Sequence, residues 1–233
     1  MKQTLLEGLP SLGLDLTTAQ LDTFCAFGEA LIEKNRVMNL TAITDPQAVA
    51  QLHFLDCMAL LNFWDFTEKS VIDVGCGAGF PGVPLKIAEP TIHLTLLDSL
   101  RKRIDWLSAT LPELGIEADC TAARAEEYAF SHREHFDIAT SRAVARLNIL
   151  SELCLPMVKL GGAFLAMKSV DSDEEISEAA HGIGLLGGTV KHIMDYPVPG
   201  TDVFHRVVVI QKIKETPKQY PRRFSKIKQA PLS

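Results

Sequence analysis

The chain has 233 residues, of which 47% are hydrophobic and 22% charged, proportions that indicate a folded globular domain and argue against wholesale disorder. No apolar run approaches the roughly 20 residues that span a bilayer, and Glu7 stands too early for a signal peptide, so we expect a cytoplasmic protein. The five cysteines and seven histidines lack metal-ligand spacing, which predicts reduced thiols and no metal site.

Residues 1–66 predict a helical lead-in that packs on the same domain as the rest of the chain. Thr17 and Gln20 have the spacing of a capping box, and an apolar stripe of helical period follows them. The stretch 35–44 lacks that period and predicts a turn. Asp45-Pro46 then supplies an N-cap and a proline at the first position of a second helix, which we expect to reach about residue 61.

Residues 67–212 alternate short β-rich runs with helical stretches such as Arg101–Leu111 and Leu147–Lys159. The seven predicted strands are Val71–Val74, Ile92–Leu97, Glu117–Ala122, Phe136–Thr140, Ala163–Met167, Val190–Tyr196 and Phe204–Ile210. This alternation predicts an α/β, Rossmann-like domain with a mostly parallel sheet. The link 197–203 is too short for a crossover helix, so the last two strands should form an antiparallel hairpin at a sheet edge.

The strongest chemical signal is a glycine-rich turn after the first predicted strand. Gly75 and Gly77 let a cofactor lie against bare backbone, because glycine has no Cβ and tolerates positive φ. Asp73 lies one residue before the end of the strand. Its carboxylate can order the glycine loop or meet a cationic ligand, and S-adenosylmethionine carries both an amino group and a sulfonium.

A second acid, Asp98, ends the next predicted strand, 19 residues after Gly79. A carboxylate at that place and interval reaches the ribose hydroxyls of a nucleotide cofactor. The alternative is an ordinary strand–helix–strand unit with a glycine turn. Strand, turn, helix and second acid in register favour the cofactor site.

The string 77–82 also matches the dinucleotide fingerprint, which leaves NAD or FAD as an alternative. Two features disfavour it. The strand ends at Val74, so Gly75 is the first glycine of the turn, and Pro81 has no N–H to offer a pyrophosphate. We therefore predict S-adenosylmethionine as the cofactor.

Two later clusters follow the third and fourth predicted strands. The string 124–127 borders the same cleft and is placed to contact an adenine ring. Arg142, in the string 140–143, is placed between cofactor and substrate, where it could bind a phosphate, a guanine edge or the carboxylate of the cofactor. The alternative for Arg142 is a surface salt bridge.

The C-terminal tail, residues 213–233, predicts an RNA contact. The net charge of −6 divides into +6 for residues 211–230 and −12 for the chain before them. Such a cationic tail can neutralise phosphates, although a solvated, frayed terminus would have the same composition. The candidate RNA-binding residues are Lys218, Arg222, Arg223, Lys226 and Lys228.

Strings spread over most of the chain carry a family resemblance. They are Asn39-Leu40-Thr41-Ala42, His53-Phe54-Leu55-Asp56, residues 73–85, Leu96-Leu97-Asp98-Ser99, Lys102-Arg103, Arg124-Ala125-Glu126, Ser141-Arg142-Ala143, Gly161-Gly162, Ala166-Met167-Lys168 and Tyr220-Pro221-Arg222. With them the sequence resembles the bacterial small-subunit ribosomal RNA guanine-N7 methyltransferases, the glucose-inhibited division protein B family. The resemblance implies a class I fold, S-adenosylmethionine as cofactor, and 16S ribosomal RNA or the small ribosomal subunit as partner. We also expect a monomer, although the sequence does not fix the oligomeric state.

The resemblance also implies site residues. Those bordering the cofactor would be Gly75, Phe80, Ala125, Glu126 and Arg142, and Gly77 and Asp98 join them from the general fold. Asn39 and His53 would lie where the lead-in meets the cleft, unless they serve only capping and helix packing. The tail departs from the family pattern, with Ser225, Ile227 and Gln229 at places usually held by glycine, proline and lysine, and His205-Arg206 reverses the usual order.

Guanine N7 keeps a free lone pair, so its methylation needs no general base, which fits a sequence without an obvious catalytic His or Cys. The resemblance thus implies catalysis by proximity and alignment. A small-molecule methyltransferase and a non-catalytic RNA-binding protein remain open on the residues alone.

Overall fold

A computed structural model describes residues 1–142 and 144–232. Ala143, of the Ser141-Arg142-Ala143 string, and Ser233, the last residue of the tail, lie outside the described residues. Within the described chain, no helix combines the length and apolarity needed to cross a membrane.

A seven-stranded sheet forms the centre of the protein, in the order β3-β2-β1-β4-β5-β7-β6. The strands are β1 (Ser70–Val74), β2 (His93–Asp98), β3 (Asp119–Ala122), β4 (Phe136–Arg142), β5 (Val158–Ser169), β6 (Gly188–Pro197) and β7 (Phe204–Lys212). Strands β1 to β5 run parallel, and β7 pairs antiparallel with both β5 and β6. The predicted α/β class, the parallel sheet and the C-terminal hairpin are confirmed.

Helices cover the sheet and connect its strands. They are α5 (Gly82–Ala88), α6 (Arg101–Glu113), α7 (Ala125–Ser131), α8 (Leu147–Cys154) and α9 (Asp173–Leu185). The predicted extent of α8 is wrong at its end, because a 3₁₀ turn (Leu155–Met157) replaces helix and β5 begins at Val158. Pro156 explains this, since proline lacks the N–H that an α-helix needs and its ring clashes with the preceding turn.

The lead-in begins with α1 (Lys2–Leu12) and α2 (Thr18–Met38). Thr17 and Gln20 form the predicted capping box. The turn starts later than predicted, because α2 continues to Met38 and ends on Asn39 in the left-handed conformation, at φ 50°. Asn35 stays helical while its side chain bonds both backbone groups of Thr41, at 2.8 and 2.9 Å.

The second lead-in helix is a continuous but irregular helical segment. It consists of α3 (Pro46–Val49), a π-helical stretch (Ala50–Leu55), α4 (Asp56–Met58) and a 3₁₀ turn (Ala59–Asn62). The Asp45 side chain caps it by accepting from Ala48 N at 2.8 Å. Widened turns of this kind are frequent at functional sites, and this one carries His53.

The lead-in shares its hydrophobic core with the sheet. Phe24, Phe27 and Phe54 are fully buried in one apolar cluster with Val71 and Ile138 of the strands. Truncating a buried phenyl ring of this kind to alanine typically costs about 3–5 kcal/mol. The lead-in is therefore part of the domain's core and fixes one wall of whatever lies at the strand ends.

The basic tail is packed against the domain. Fully buried Lys212 donates to Leu155 O and to Thr216 Oγ1, both at 2.6 Å. Arg222 forms a bidentate pair with the fully buried Glu152, at 2.8 and 2.6 Å. A short helix, α10 (Phe224–Gln229), then buries Ile227 completely.

Gly187 provides a test of this tail docking. Its φ is +84°, and a Cβ there would lie 2.1 Å from the backbone oxygen of Lys214. We expect Gly187→Ala to lower the free energy of unfolding in urea by about 1–3 kcal/mol, because the new methyl must displace backbone. The control is Gly184→Ala, which has open space and a helical position, and should raise stability by about 0.5–1 kcal/mol. Equal stability of the two variants would contradict a fixed tail.

A candidate cofactor and substrate cleft

A cavity of about 500 Å³ opens at the carboxyl ends of the parallel strands, the edge where α/β proteins bind ligands. Its walls come from the lead-in, the glycine turn, the loops after β2, β3 and β4, and the tail. Its lining residues include Thr41, His53, Gly75, Gly77, Phe80, Asp98, Arg124, Ala125, Glu126, Arg142, Val144 and Phe224. The volume lies within the range of small-molecule sites.

The glycine turn is held to the sheet by its backbone. The N–H groups of Gly75 and Cys76 both donate to Leu97 O, at 2.8 and 3.1 Å. Gly75 has φ +73°, and a Cβ there would lie 2.6 Å from Val144 Cγ2. Gly77 has φ +59°, and the nearest atom to a Cβ there would be Arg103 Nη1, at 4.0 Å. Gly77 thus offers open backbone to the cavity, whereas at Gly75 the absence of a side chain lets Val144 pack against the turn.

Asp73 supports this turn from below and does not line the cavity. Its carboxyl is fully buried, and Oδ2 accepts from Gly82 N at 2.8 Å. Within the described chain Oδ1 has no hydrogen-bond partner. Burial raises the pKa of Asp73 to about 7. Of its two predicted roles, the structure displays the ordering of the glycine loop.

Asp98 lies on the cavity wall at the end of β2. Its Oδ2 accepts from Gly77 N at 2.9 Å, and its Oδ1 accepts from Leu100 N at 2.8 Å. Arg103 Nη1 lies 3.4 Å from Oδ2. Each oxygen keeps acceptor capacity, so the carboxylate can bind hydroxyl donors in the cavity.

The loop after β3 forms the neighbouring wall. Ala125 begins α7, and the nearly buried Glu126 accepts from Arg124 Nε at 2.6 Å. The Arg124 guanidinium lies over the ring of Phe224, 4.5 Å from its centroid. Phe224 was not among the predicted cofactor residues, and an aromatic residue in a basic tail is a weak sequence signal for such a place.

Arg142 sits at the opposite wall and makes no surface salt bridge. Its Nη1 donates to Leu52 O at 3.1 Å and to Asp56 Oδ2 at 3.2 Å. Its Nη2 donates to His53 Nδ1 at 2.9 Å. The guanidinium lies 4.8 Å from the centroid of the Phe80 ring, on which His53 also stacks. Thus Arg142, Phe80 and His53 form one cluster.

Asp56 organises that cluster, and sequence reasoning did not single it out. Its fully buried carboxylate accepts from Arg142, from Tyr196 OH at 2.9 Å and from His205 Nδ1 at 2.8 Å. These donors come from β4, β6 and β7, whereas Asp56 belongs to the lead-in. The available signals were an acid within an apolar helical run and its place at the end of the family string 53–56.

The His53 ring is neutral and is held between Arg142 and Thr41. Burial, and then the charge of Arg142, lower the pKa of His53 to about 4. Because arginine only donates, Nδ1 of His53 is the acceptor, so Nε2 carries the hydrogen and donates to Thr41 Oγ1 at 2.8 Å. Both ring nitrogens are therefore engaged. Asn39, the other predicted lead-in residue, caps α2 and does not line the cavity.

The tail cations lie outside the cavity walls. Lys218, Arg223, Lys226 and Lys228 are exposed, and no salt bridge within the described chain engages them. Arg222 is instead half-buried on Glu152. The described residues contain no cluster of His, Cys, Asp and Glu suited to a metal ion, and all five cysteines are free, with Cys57, Cys76 and Cys154 buried.

Comparison with known proteins gives a consistent family. A family model described as GidB, rRNA small subunit methyltransferase G, matches residues 20–197. A protein of Lachnoclostridium phytofermentans with the name ribosomal RNA small subunit methyltransferase G is 45% identical over 98% of this chain and 96% of its own length. One of the same name from Alkaliphilus oremlandii is 44% identical over 100% of this chain and 99% of its own.

Solved structures with low sequence identity show the fold alone. The chain matches TrmN from Thermus thermophilus with a TM-score of 0.53 at 19% identity, covering 67% of this chain and 48% of that one. It matches the antibiotic-resistance methyltransferase Kmr with a TM-score of 0.50 at 15% identity, covering 69% and 94%. The predicted class I methyltransferase fold is confirmed.

The pKa of Asp73 predicts a pH dependence of stability that Asp73→Asn removes. Between about pH 4 and pH 7 the folded protein holds a proton on Asp73 that the unfolded chain releases, so stability falls as pH rises through this window. Asparagine keeps an acceptor for Gly82 N–H. Urea unfolding at several pH values measures the effect. We expect the free energy of unfolding of the wild type to fall relative to that of the variant as pH rises through this window. A difference independent of pH would mean that Asp73 is ionised throughout.

Proposed function

We propose that this chain, which belongs to the rRNA small subunit methyltransferase G (GidB) family, transfers a methyl group to N7 of one guanine in 16S ribosomal RNA. Family membership supports the reaction class and the RNA. The cleft supports the cofactor and the choice of nucleophile. The target atom comes from the family resemblance and from the state of His53, the imidazole beside Arg142, whose two ring nitrogens are both engaged.

The cavity fits S-adenosylmethionine. When bound, this cofactor supplies an electrophilic methyl group on a sulfonium. The glycine turn at Gly75 and Gly77 would hold it against backbone, Asp98 would accept from its ribose hydroxyls, and Ala125 and Glu126 would border its adenine. Asp73 would act from below, by fixing the turn through Gly82.

The state of His53 is the observation that carries the choice of N7. Among the described lining residues, His53 is the one histidine. Its two ring nitrogens are hydrogen-bonded to Arg142 and to Thr41. With its pKa lowered to about 4 it cannot take a proton at neutral pH. An exocyclic amine or a ring N–H must lose a proton on methylation, whereas N7 attacks with a lone pair it already has. The cleft therefore suits N7.

Arg142 is the residue we assign to the guanine. Three of its N–H bonds are used internally, which leaves Nε–H and one Nη2 hydrogen for a base edge or phosphate. Methylation of N7 places a positive charge on the base. Asp56 balances the charge of Arg142, so the cleft can tolerate a cationic product.

The exposed cations of the tail would provide the phosphate contacts. Lys218, Arg223, Lys226 and Lys228 stand around the tail residue Phe224 that reaches the cavity. Arg222 would contribute by anchoring the tail on Glu152. We also propose that the protein is cytoplasmic, where its ribosomal RNA substrate is found, and that it acts as a monomer.

The proposal is tested by methyl transfer from labelled S-adenosylmethionine to small-subunit ribosomal RNA from cells that lack this protein. Naked RNA and small-subunit particles are both offered, and the modified base is mapped. A single 7-methylguanosine is the expected product. Methyl transfer to small molecules alone would indicate a small-molecule methyltransferase. Binding of RNA without methyl transfer would indicate a non-catalytic RNA-binding protein.

Removing the Arg142 guanidinium should slow the reaction strongly. We expect Arg142→Ala to lower kcat/KM for RNA roughly 100-fold or more, the range typical for loss of one oriented donor in a dry site. Arg142→Lys should not restore it, because lysine lacks the planar fork. The control is Lys159→Ala, which removes a cation near Ser70 and Asp137, at the opposite ends of the strands. Wild-type turnover by a folded Arg142→Ala enzyme would exclude the assignment.

Neutralising the tail should change the salt dependence of RNA binding. Deleting the tail is a poor test, since Lys212 and Ile227 are buried. In a variant with Lys218, Arg223, Lys226 and Lys228 replaced by glutamine, the slope of log K against log salt should decrease by about one for each lost phosphate contact. Binding titrations across salt measure it. An unchanged slope would show that the RNA lies elsewhere.

A further inference from the structure

The basic tail reaches the cofactor cavity at one residue, Phe224. Its ring is half-buried and forms part of the cavity wall, beside the loop that carries Ala125 and Glu126. The Arg124 guanidinium lies over the ring, 4.5 Å from its centroid, so the cation packs against one face of the ring. Neither the charge pattern of the tail nor the family motifs assign this residue a role.

The position of Phe224 is fixed by the residues around it. Two residues earlier, Arg222 donates to Glu152 from its backbone N and from its guanidinium, at 2.8, 2.8 and 2.6 Å. Three residues later, Ile227 is fully buried in the apolar cluster that also includes Leu147 and Leu150. Arg133 adds hydrogen bonds to the carbonyls of Tyr220 and Thr216, at 2.5 and 2.6 Å.

The chemistry of this wall suits a flat aromatic base. Glu126 is nearly buried and is neutralised by Arg124, so the polar groups of this corner are satisfied within the protein. The cavity wall at this corner consists of the Phe224 ring, the short side chains of Ala123 and Ala125, and the paired Arg124 and Glu126. An aromatic ring stacks on a purine at little conformational cost, because a phenylalanine has few rotatable bonds to fix.

We propose that Phe224, backed by Arg124, is the stacking surface for the adenine of S-adenosylmethionine, and that docking of the tail through Arg222 and Glu152 sets the affinity for the cofactor. This inference rests on the proposed function, since it takes the cavity to be the cofactor site. It makes the tail a part of the cofactor site as well as an RNA contact. The residue that stands where the family pattern has proline, Ile227, supplies the buried anchor of α10.

The test measures binding of S-adenosylmethionine and S-adenosylhomocysteine to the full-length protein by calorimetry. Phe224→Leu and Phe224→Ala should weaken both ligands roughly tenfold, the usual range for loss of one base-stacking ring. Phe224→Tyr should bind as wild type does. Leucine keeps the apolar packing of the tail, so its loss of affinity reports the ring itself. The control is Phe130→Ala, an exposed phenylalanine at the end of α7 that does not line the cavity, and its affinity should be unchanged.

A second variant tests the tail. Arg222→Ala removes the side-chain hydrogen bonds that hold the tail on Glu152 and changes no residue of the cavity wall. Cofactor affinity should fall several-fold, and amide hydrogen exchange in residues 216–229 should become faster. Wild-type affinity in folded Phe224→Leu and Phe224→Ala would overturn the inference. Weakening by alanine alone, with leucine equal to tyrosine, would overturn the stacking role. Failure of the wild-type protein to bind either ligand would instead refute the proposed function.

Discussion

A single buried carboxylate, that of Asp56, joins the parts of the molecule that meet at the cleft. It comes from the irregular helical segment of the lead-in and accepts from Arg142 on β4, Tyr196 on β6 and His205 on β7. A carboxylate buried so deeply is stable only when donors of this kind surround it, and removing one of them would lower the stability of the fold strongly. The network therefore imposes one arrangement of lead-in, sheet and hairpin, and with it one orientation of Arg142.

The chemistry follows from that constraint. With Arg142 fixed on Asp56, its remaining N–H groups are available to bind a ligand. Burial, together with the charge of Arg142, lowers the pKa of His53 and keeps its ring neutral. In the proposed function, the cleft pairs a cofactor end built on glycine backbone and Asp98 with a substrate end at Arg142 that holds donors and no available base. Such a site favours a nucleophile that is already competent, and it relies on alignment rather than on proton transfer.

The sequence predicted the sheet well because strand periodicity and turn residues are local signals. Glycine spacing likewise placed Gly75, Gly77 and Asp98 on one cavity. Asp73 shows the limit of such reasoning, since its position in the motif left two roles open and only the bond to Gly82 N displays one of them. Asp56 and Phe224 escaped prediction because their partners, Tyr196, His205 and Arg124, are distant in sequence. The end of α8 was predicted wrongly because helical periodicity continues past Pro156, whereas the proline ends the α-helix.

The most direct test of the central claim, methylation at N7 without a base, uses an RNA substrate in which 7-deazaguanine replaces the target guanine. That analogue keeps every exocyclic and Watson–Crick group and loses only the N7 lone pair. The account predicts that the enzyme binds the substituted RNA and transfers no methyl group to it, while the matched guanine RNA is methylated once. Continued transfer to the substituted base would place the methyl group on another atom and would contradict the claim that N7 is the nucleophile.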